Sequence, residues 1–317
     1  MAKAFLGNAR RKLYIGSGKV KKGYVGNTLV YSAGNIVTYH IDLNTSYKEE
    51  LDSGISCLSP TTVPSKPGWT FVGWREDSSA SGNVLSGKIM GDDPIDLYAV
   101  FSQDIVLTTG MNNTIYSQQT LPKYYNNGNI SNPVFNVLNP SPAGAAFMGW
   151  SVSSTDATVS YSSINNLSLS ESLVLYAVLT YENATVATIP GTYRVNINGG
   201  WFNTAPFVFV DEIDCSKYAG ITATFIGESD ANGGSADQTL YAEAGGTKIE
   251  LASSHCNFDG QRNPVSFNKS VTIMFTQTSG STSLTGYGTY DTYGFDHDGY
   301  IRIGDETATL IGKTSVG

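Results

Sequence analysis

The chain has 317 residues, 40% hydrophobic and 11% aromatic but only 15% charged, where soluble proteins average about 25%. Gly, Ser, Thr and Asn weaken or compete with helical backbone, so long helices are excluded and strands are favoured, a setting that suits the 19 tyrosines. The net charge of −8 is unevenly placed: residues 1–25 carry seven Lys and Arg and no acid, which leaves 12 basic against 27 acidic residues beyond them.

The basic start has its own short repeat. Lys12-Leu13-Tyr14-Ile15-Gly16 is echoed ten residues on by Lys22-Gly23-Tyr24-Val25-Gly26. Alternation that turns at glycine predicts a hairpin through 13–15, a turn at 16–18 and a return at 19–21, with further short strands at 24–25 and 29–31. So small a sheet buries too little core to stand alone, and its edges need a partner. Lys12, Tyr14, Lys22, Tyr24 and Tyr31 are the candidate anchor residues of a segment that docks on another copy or a neighbouring protein; a plain solvated start is the alternative. Stacking aromatics and a basic face beyond the arm are missing, so no nucleic acid partner is expected. The start has no apolar core of signal-peptide length, and no apolar run in the chain could span a bilayer as a helix. Neither classical secretion nor membrane insertion is expected.

Past Gly34, residues 36–42 have strand composition, and 47–51 read as a strand or a short turn. Residues 60–68 are a Pro-punctuated connection. Trp69-Thr70-Phe71-Val72-Gly73-Trp74 predicts a strand with Trp69, Phe71 and Gly73 on one face and Trp74 on the other. A polar excursion over 76–83 leads to a closing apolar strand at 96–101. The unit then recurs. Phe71-Val72-Gly73-Trp74 returns as Phe147-Met148-Gly149-Trp150 after 76 residues, and Leu97-Tyr98-Ala99-Val100 as Leu175-Tyr176-Ala177-Val178 after 78. Trp69, Phe71, Trp74, Tyr98, Phe147, Trp150 and Tyr176 are the candidate repeat-core residues. Second-copy strands are expected near 105–108, 146–152, 159–161 and 173–179. Duplication of this kind copies a packing unit or extends reach, and rarely builds an active site.

Pro64-Ser65-Lys66-Pro67-Gly68-Trp69-Thr70-Phe71-Val72-Gly73-Trp74, followed by Leu97-Tyr98-Ala99-Val100-Phe101, resembles the Listeria–Bacteroides repeat, also called the internalin B-repeat. The resemblance implies a small β-grasp-like fold from a family that decorates bacterial surface proteins and phage virion proteins. Two features depart from the family pattern. Its closing strand usually ends in Trp, where this chain has Phe101 and Leu179, and the second copy has Pro140-Ser141-Pro142-Ala143-Gly144 in place of the Lys-Pro-Gly-Trp lead-in. Residues 19–26, with Leu29-Val30-Tyr31-Ser32-Ala33-Gly34, resemble the start of tail-associated proteins from phages of Gram-positive hosts.

From about residue 183 neither copy is matched. Strands are expected at 192–197, 207–210, 221–226, 239–242, 248–251, 271–276 and 300–303, and many short strands between turn signals predict a jelly-roll-like β-sandwich. No catalytic motif stands out. His40 is expected as a cross-strand neighbour. His255 adjoins Cys256, but strand neighbours point to opposite faces and do not share a ligand or proton. Glu228, Asp230, Asp237, Glu243 and Glu250 lack any spacing that marks a glycosidase pair. Asp291, Asp296 and Asp298 crowd one stretch without EF-hand spacing, so a plain turn is expected and no metal or cofactor is assigned. Cys57, Cys215 and Cys256 read as buried thiols, with a Cys215–Cys256 pair as the alternative. Tyr287, Tyr290, Tyr293, Phe295 and Tyr300, with Trp201, are the candidate binding residues: glycine-spaced tyrosines suit a sugar ring or a polar protein surface. The competing reading is that these tyrosines simply cover the sandwich.

The expectation is a mainly β chain of four parts: a basic β-hairpin anchor (1–34), two β-grasp-like repeat domains (35–103 and the diverged 104–182), and a C-terminal β-sandwich (183–317). The expected role is a non-enzymatic structural component of a bacteriophage virion, tail- or baseplate-associated, made in the host cytoplasm and located on the extracellular particle. Its expected partners are other virion proteins, itself as a homo-oligomer, and a host-surface glycan. A bacterial surface adhesin or carbohydrate-binding module and a capsid-decorating fibre are the alternatives.

Overall fold

The computed structural model describes residues 14–15, 18–19, 22–25, 28–32, 34–197, 207–230, 236–256, 264–290, 297–304 and 306–317. Every element among them is a β-strand, as the composition dictates. The chain divides into two compact units. One holds the described residues up to 108 with 117–137 and 164–174; the other holds 109–116, 138–163 and 175–317.

The start forms two hairpins; the return strand of the first begins at Gly18, inside the expected turn, and the ladder of the second slips between Gly23 and Tyr24. β1 (Tyr14–Ile15) pairs with β2 (Gly18–Lys19), and β3 (Lys22–Val25) pairs with β4 (Thr28–Ser32), each as a separate two-stranded sheet. β5 (Asn35–His40) then pairs antiparallel with β6 (Ser46–Leu51), so the 47–51 segment is a strand. β7 (Thr70–Arg75) and β8 (Ile95–Met111) complete the first repeat: β8 runs parallel to β5 from Val37↔Ile95 to His40↔Tyr98 and antiparallel to β7. Alternate residues of these strands point inward. Val37, Tyr39, Trp74, Leu97, Ala99 and Phe101 meet Cys57 and Met90 in the core.

The β7 ladder slips: Phe71 faces Phe101 while Gly73 faces Val100, so Val72 is an extra residue in a β-bulge. The bulge corrects the expected alternation. Phe71 and Trp74 share one side, with ring centroids 5.3 Å apart at 64°, and Trp69 packs on the same core. A Cβ on Gly73 would lie 2.9 Å from the Val84 side chain.

The second copy repeats this device. After β9 (Thr114–Asn126), β10 (Asn129–Ser131) and β11 (Val134–Val137) come β12 (Ala145–Ser151), β13 (Ile164–Ser168) and β14 (Leu173–Tyr181). β12 pairs with β14 through the same slip, Phe147↔Leu179 then Gly149↔Val178, and Phe147 meets Trp150 at 5.2 Å and 63°. Gly149 has φ +148°, and a Cβ there would sit 2.5 Å from Val159 Cγ1 and 2.8 Å from the Tyr161 carbonyl oxygen. Residues 159–161, expected as a strand, instead cover Gly149 and make only the isolated bridge Trp150↔Tyr161. β9 was not expected: it is polar and interrupted by Pro122. Its turn into β10 uses Asn127 and Gly128, both with positive φ, as a tight hairpin requires.

The remaining strands are β15 (Ala184–Ala187), β16 (Gly191–Ile197), β17 (Phe207–Asp214), β18 (Tyr218–Asp230), β19 (Ala236–Ala244), β20 (Thr247–Cys256), β21 (Val265–Met274), β22 (Ser281–Tyr290), β23 (His297–Ile303), β24 (Thr307–Gly312) and β25 (Thr314–Val316). β15 and β16 are halves of one broken strand, as are β23 and β24, because β15 pairs with β24 and β16 with β23. At the break the Thr188 hydroxyl donates to the Gly304 and Glu306 carbonyls. β18 pairs with both β24 and β23 along one edge and with β21 along the other. Counted this way, a four-strand-wide sheet faces a second sheet ordered β17-β22-β19-β20. Ile221, Phe225, Ile273, Ile301 and Leu310 from one sheet meet Phe209, Ile213, Leu240 and Leu284 from the other in a single core. Eight antiparallel strands in two such layers form the expected jelly-roll-like sandwich. β25 does not join it; it pairs antiparallel with β14.

Gly149→Ala is expected to lower stability by about 2 kcal/mol, the scale of an overpacked core position. Gly87→Ala, where a Cβ meets nothing within 4 Å, leaves it unchanged. Chemical denaturation of the two variants checks this.

Candidate functional site

Aromatic rings run through the first repeat. Tyr47 stacks on Tyr39 at 5.0 Å, Tyr39 meets Trp74 at 4.9 Å, and Phe71 links Trp74 to Phe101 at 5.3 and 5.8 Å. Trp69 lies 5.8 Å from Tyr125, whose ring carries Lys66 Nζ at 4.0 Å. The Tyr39 hydroxyl donates to the Cys57 carbonyl at 2.9 Å, and the Tyr47 hydroxyl to the Thr62 carbonyl at 2.6 Å. Burial, reinforced by Glu49, pushes the Tyr47 phenol up to about 12 and that of Tyr39 higher still. Trp74 and Trp150 are fully buried, and neither indole Nε1–H has a hydrogen-bond partner. Trp69, Phe71, Tyr98, Phe147 and Tyr176 are half-buried. Tyr98 is covered by His40, stacked at 4.5 Å, whose Nε2 lies 2.9 Å from Asp96 Oδ1. His40 is thus the cross-strand neighbour expected.

On the sandwich, Tyr287 of β22 stands directly opposite Tyr241 of β19, and the two rings stack at 5.6 Å and 29°. Alternation with buried Leu284 and Gly286 turns Tyr287 to the outer face. Lys248 Nζ sits 3.8 Å from the Tyr241 ring centre and 5.3 Å from that of Tyr287. Its hydrogen bond to Tyr287 is the largest cause holding the lysine pKa above its usual value. The result is a flat patch of two phenols and a cation, suited to a sugar ring or an acidic group. Tyr300 belongs to β23 of the other sheet, opposite Arg194 and Glu228, and its neighbour Ile301 is in the core. Tyr287 and Tyr300 therefore face opposite sides of the sandwich. Tyr290 ends β22 opposite Gln238. Tyr293, Phe295, Trp201, Lys12, Asp291 and Asp296 lie outside the described residues; Tyr14, Lys22, Tyr24 and Tyr31 lie in the hairpin strands. The sequence alone does not mark Tyr241 and Lys248, because only the strand register brings them to Tyr287.

Cys57 and Cys215 are free and buried, so Cys215 is not bridged to Cys256. Burial raises both thiol pKa values. Among the described residues no three His, Cys, Asp or Glu side chains cluster as metal ligands. Asp214 and Lys217 pair at 3.1 Å beside a cavity. Desolvation works against the Asp214 charge, but hydrogen bonds from Ser216 and Lys217 outweigh it and hold the carboxyl below its ordinary pKa. The cavity, about 310 Å³, is polar and is also lined by Asn112, Tyr181 and Ser315.

Residues 36–100 and 109–178 each match the family model of the Listeria–Bacteroides repeat domain. The chain is a β-rich repeat protein carrying two copies of that domain, and the single strand β8 closes the first copy and opens the second. Among solved structures, the chain is similar to one of infectious bursal disease virus Gt strain, at 15% identity and a TM-score of 0.17 over 54% of this chain and 58% of that one. A structure of the Gx strain aligns at 11% identity and a TM-score of 0.14 over 93% of this chain and 61% of that one. The alignments thus span less than two thirds of the viral chains. A search of curated protein sequences finds no match. No helix among the described residues is long and apolar enough to cross a membrane.

The raised phenols give the first repeat an alkaline limit. An unfolded tyrosine ionises near pH 10, whereas Tyr47 holds its proton to about 12. Its contribution to stability is therefore full below pH 10 and is lost as pH rises towards 12. Phenolate absorbance followed alongside tryptophan fluorescence should show delayed phenols ionising together with unfolding, and Tyr47→Phe should remove part of that loss.

Proposed function

We propose that this chain is a non-enzymatic structural component of a bacteriophage virion, tail- or baseplate-associated, present there as a homo-oligomer. In this reading the basic hairpins at 1–34 dock on neighbouring virion proteins, the two repeats act as spacers, and the jelly roll contacts the host surface. The observation that carries the reading is the duplication. The Phe-x-Gly-Trp bulge is copied with nearly the same ring geometry, 5.3 Å and 64° against 5.2 Å and 63°, and in both copies its aromatic rings serve packing. Copying a packing unit multiplies length and surface. The polar groups near it have structural partners: Asp77 accepts both Arg75 and Ser79, and Asp96 meets His40. The Tyr241–Tyr287–Lys248 patch is the surface we assign to a host glycan, held without cleavage.

Antibodies to the purified protein, gold-labelled and applied to purified particles, should decorate the tail end; particles left unlabelled would refute the virion assignment. Deleting residues 1–34 should abolish incorporation while leaving the rest folded. Host-wall glycans incubated with the protein should be retained without product release, and Tyr287→Ala should reduce retention by about tenfold, the scale of one aromatic contact.

A further inference from the structure

Among the cavities, exposed aromatic patches and sheet edges of this chain, one edge is occupied in an unusual way. β25 follows β24 after the single residue Lys313, yet it pairs with the closing strand of the second repeat: Val178↔Val316, Leu179↔Ser315 and Thr180↔Thr314. The Tyr181 N–H donates to the Lys313 carbonyl at 3.0 Å, and the Gly317 N–H to the Ala177 carbonyl at 2.8 Å. Antiparallel ladders alternate bonded and non-bonded pairs, so Leu179 and Ser315 form the bonded pair between these two. The Thr180 and Thr314 hydroxyls meet at 2.8 Å. The same stretch also holds the sandwich: the Lys313 N–H donates to the Lys217 carbonyl at 3.1 Å and the Ser315 hydroxyl to the Ser216 carbonyl at 3.0 Å.

The first repeat has a counterpart. β5 pairs with β8 only as far as Tyr98, and β9, a strand supplied from downstream, also lies beside β8. In both copies the closing strand thus gains a neighbour from later in the chain. An open edge of this kind exposes unpaired backbone donors and acceptors, which is the chemistry that binds an extended peptide.

We propose that the edge of β14 at residues 178–180 is a peptide-binding, strand-acceptor site, and that residues 313–317 are its ligand in cis, strapping the second repeat to the sandwich. The contacts are largely main-chain, and the site takes an extended peptide with small side chains. At its far end the fit is narrow: a Cβ on Gly317 would lie 2.9 Å from Leu179 Cδ1 and 3.1 Å from Asn112 Oδ1. The proposal stands whether or not the protein belongs to a virion.

The test is binding of a fluorescently labelled peptide of the sequence 313–317 to two proteins: the full chain, and a variant ending at Gly312. The shortened protein is expected to bind the peptide saturably, to melt at a lower temperature than the full chain, and to recover part of that difference when peptide is added. The full chain should bind at least tenfold more weakly, because its own strand fills the edge. A peptide carrying the Ser315→Pro change lacks the ladder N–H and should not bind. Should the shortened protein lose its fold by circular dichroism, Ser315→Pro in the full chain releases the strand instead and serves as acceptor. Absence of binding by a folded acceptor, equal binding by the full chain, or equal binding of the proline peptide would each overturn the proposal.

Discussion

The repeats rest on a steric constraint: at Gly73 and Gly149 there is no room for a Cβ. The glycine lets the strand take one extra residue, and the extra residue returns the following Trp to the side of Phe71 or Phe147. Strict alternation would turn the indole away from the core. The energetics favour its burial even though each indole N–H is left unpaired. An unmade hydrogen bond costs about 1–3 kcal/mol. Removing roughly 200 Å² of indole from water, at about 25 cal/mol/Å², contributes about 5 kcal/mol. The hydrophobic term wins, and the ring is oriented by shape alone.

The sandwich handles polarity by other means. Between β18 and its edge neighbour β21, hydroxyl pairs with hydroxyl: Thr222 with Thr272 at 2.9 Å and Thr224 with Ser270 at 2.7 Å. Such pairs satisfy polar groups across a ladder without charge. This is the structural counterpart of a chain with 15% charged residues. Inside, β22 contributes glycine where a side chain would be expected. A Cβ on Gly286 would lie 2.5 Å from Phe209 Cε2, so the large ring of one strand fills the space left by its neighbour.

What could be read from the sequence divides along these lines. The strands at 36–42, 221–226 and 271–276 carry apolar inward residues at every second position (Val37, Tyr39 and Ile41; Ile221, Ala223 and Phe225; Val271, Ile273 and Phe275), and periodicity finds them. β22 hides because two of its inward positions are Gly286 and Gly288; its tyrosines then look like a loop. β9 hides because its faces are polar and half-exposed. The Phe-Val-Gly-Trp motif was legible as a repeat, but its bulge was not, since a slip in register leaves no mark on composition. The aromatic patch was half legible. Tyr287 stands out in a glycine-rich run, while Tyr241, 46 positions away, and Lys248, 39 positions away, reach it only because β19 pairs with β22 on one side and with β20 on the other.

The junction beyond the second repeat is crossed by the chain twice. Glu182 and Asn183 lead out of β14, and Lys313 leads back into β25. The crossings are bonded to each other: Asn183 Oδ1 accepts from the Gly312 N–H at 2.9 Å, and the Tyr181 N–H donates to Lys313 at 3.0 Å. A single covalent link would make a swivel. Two links side by side, running in opposite directions, resist torsion and share any tensile load. At this point the chain is built as a beam and not as a string.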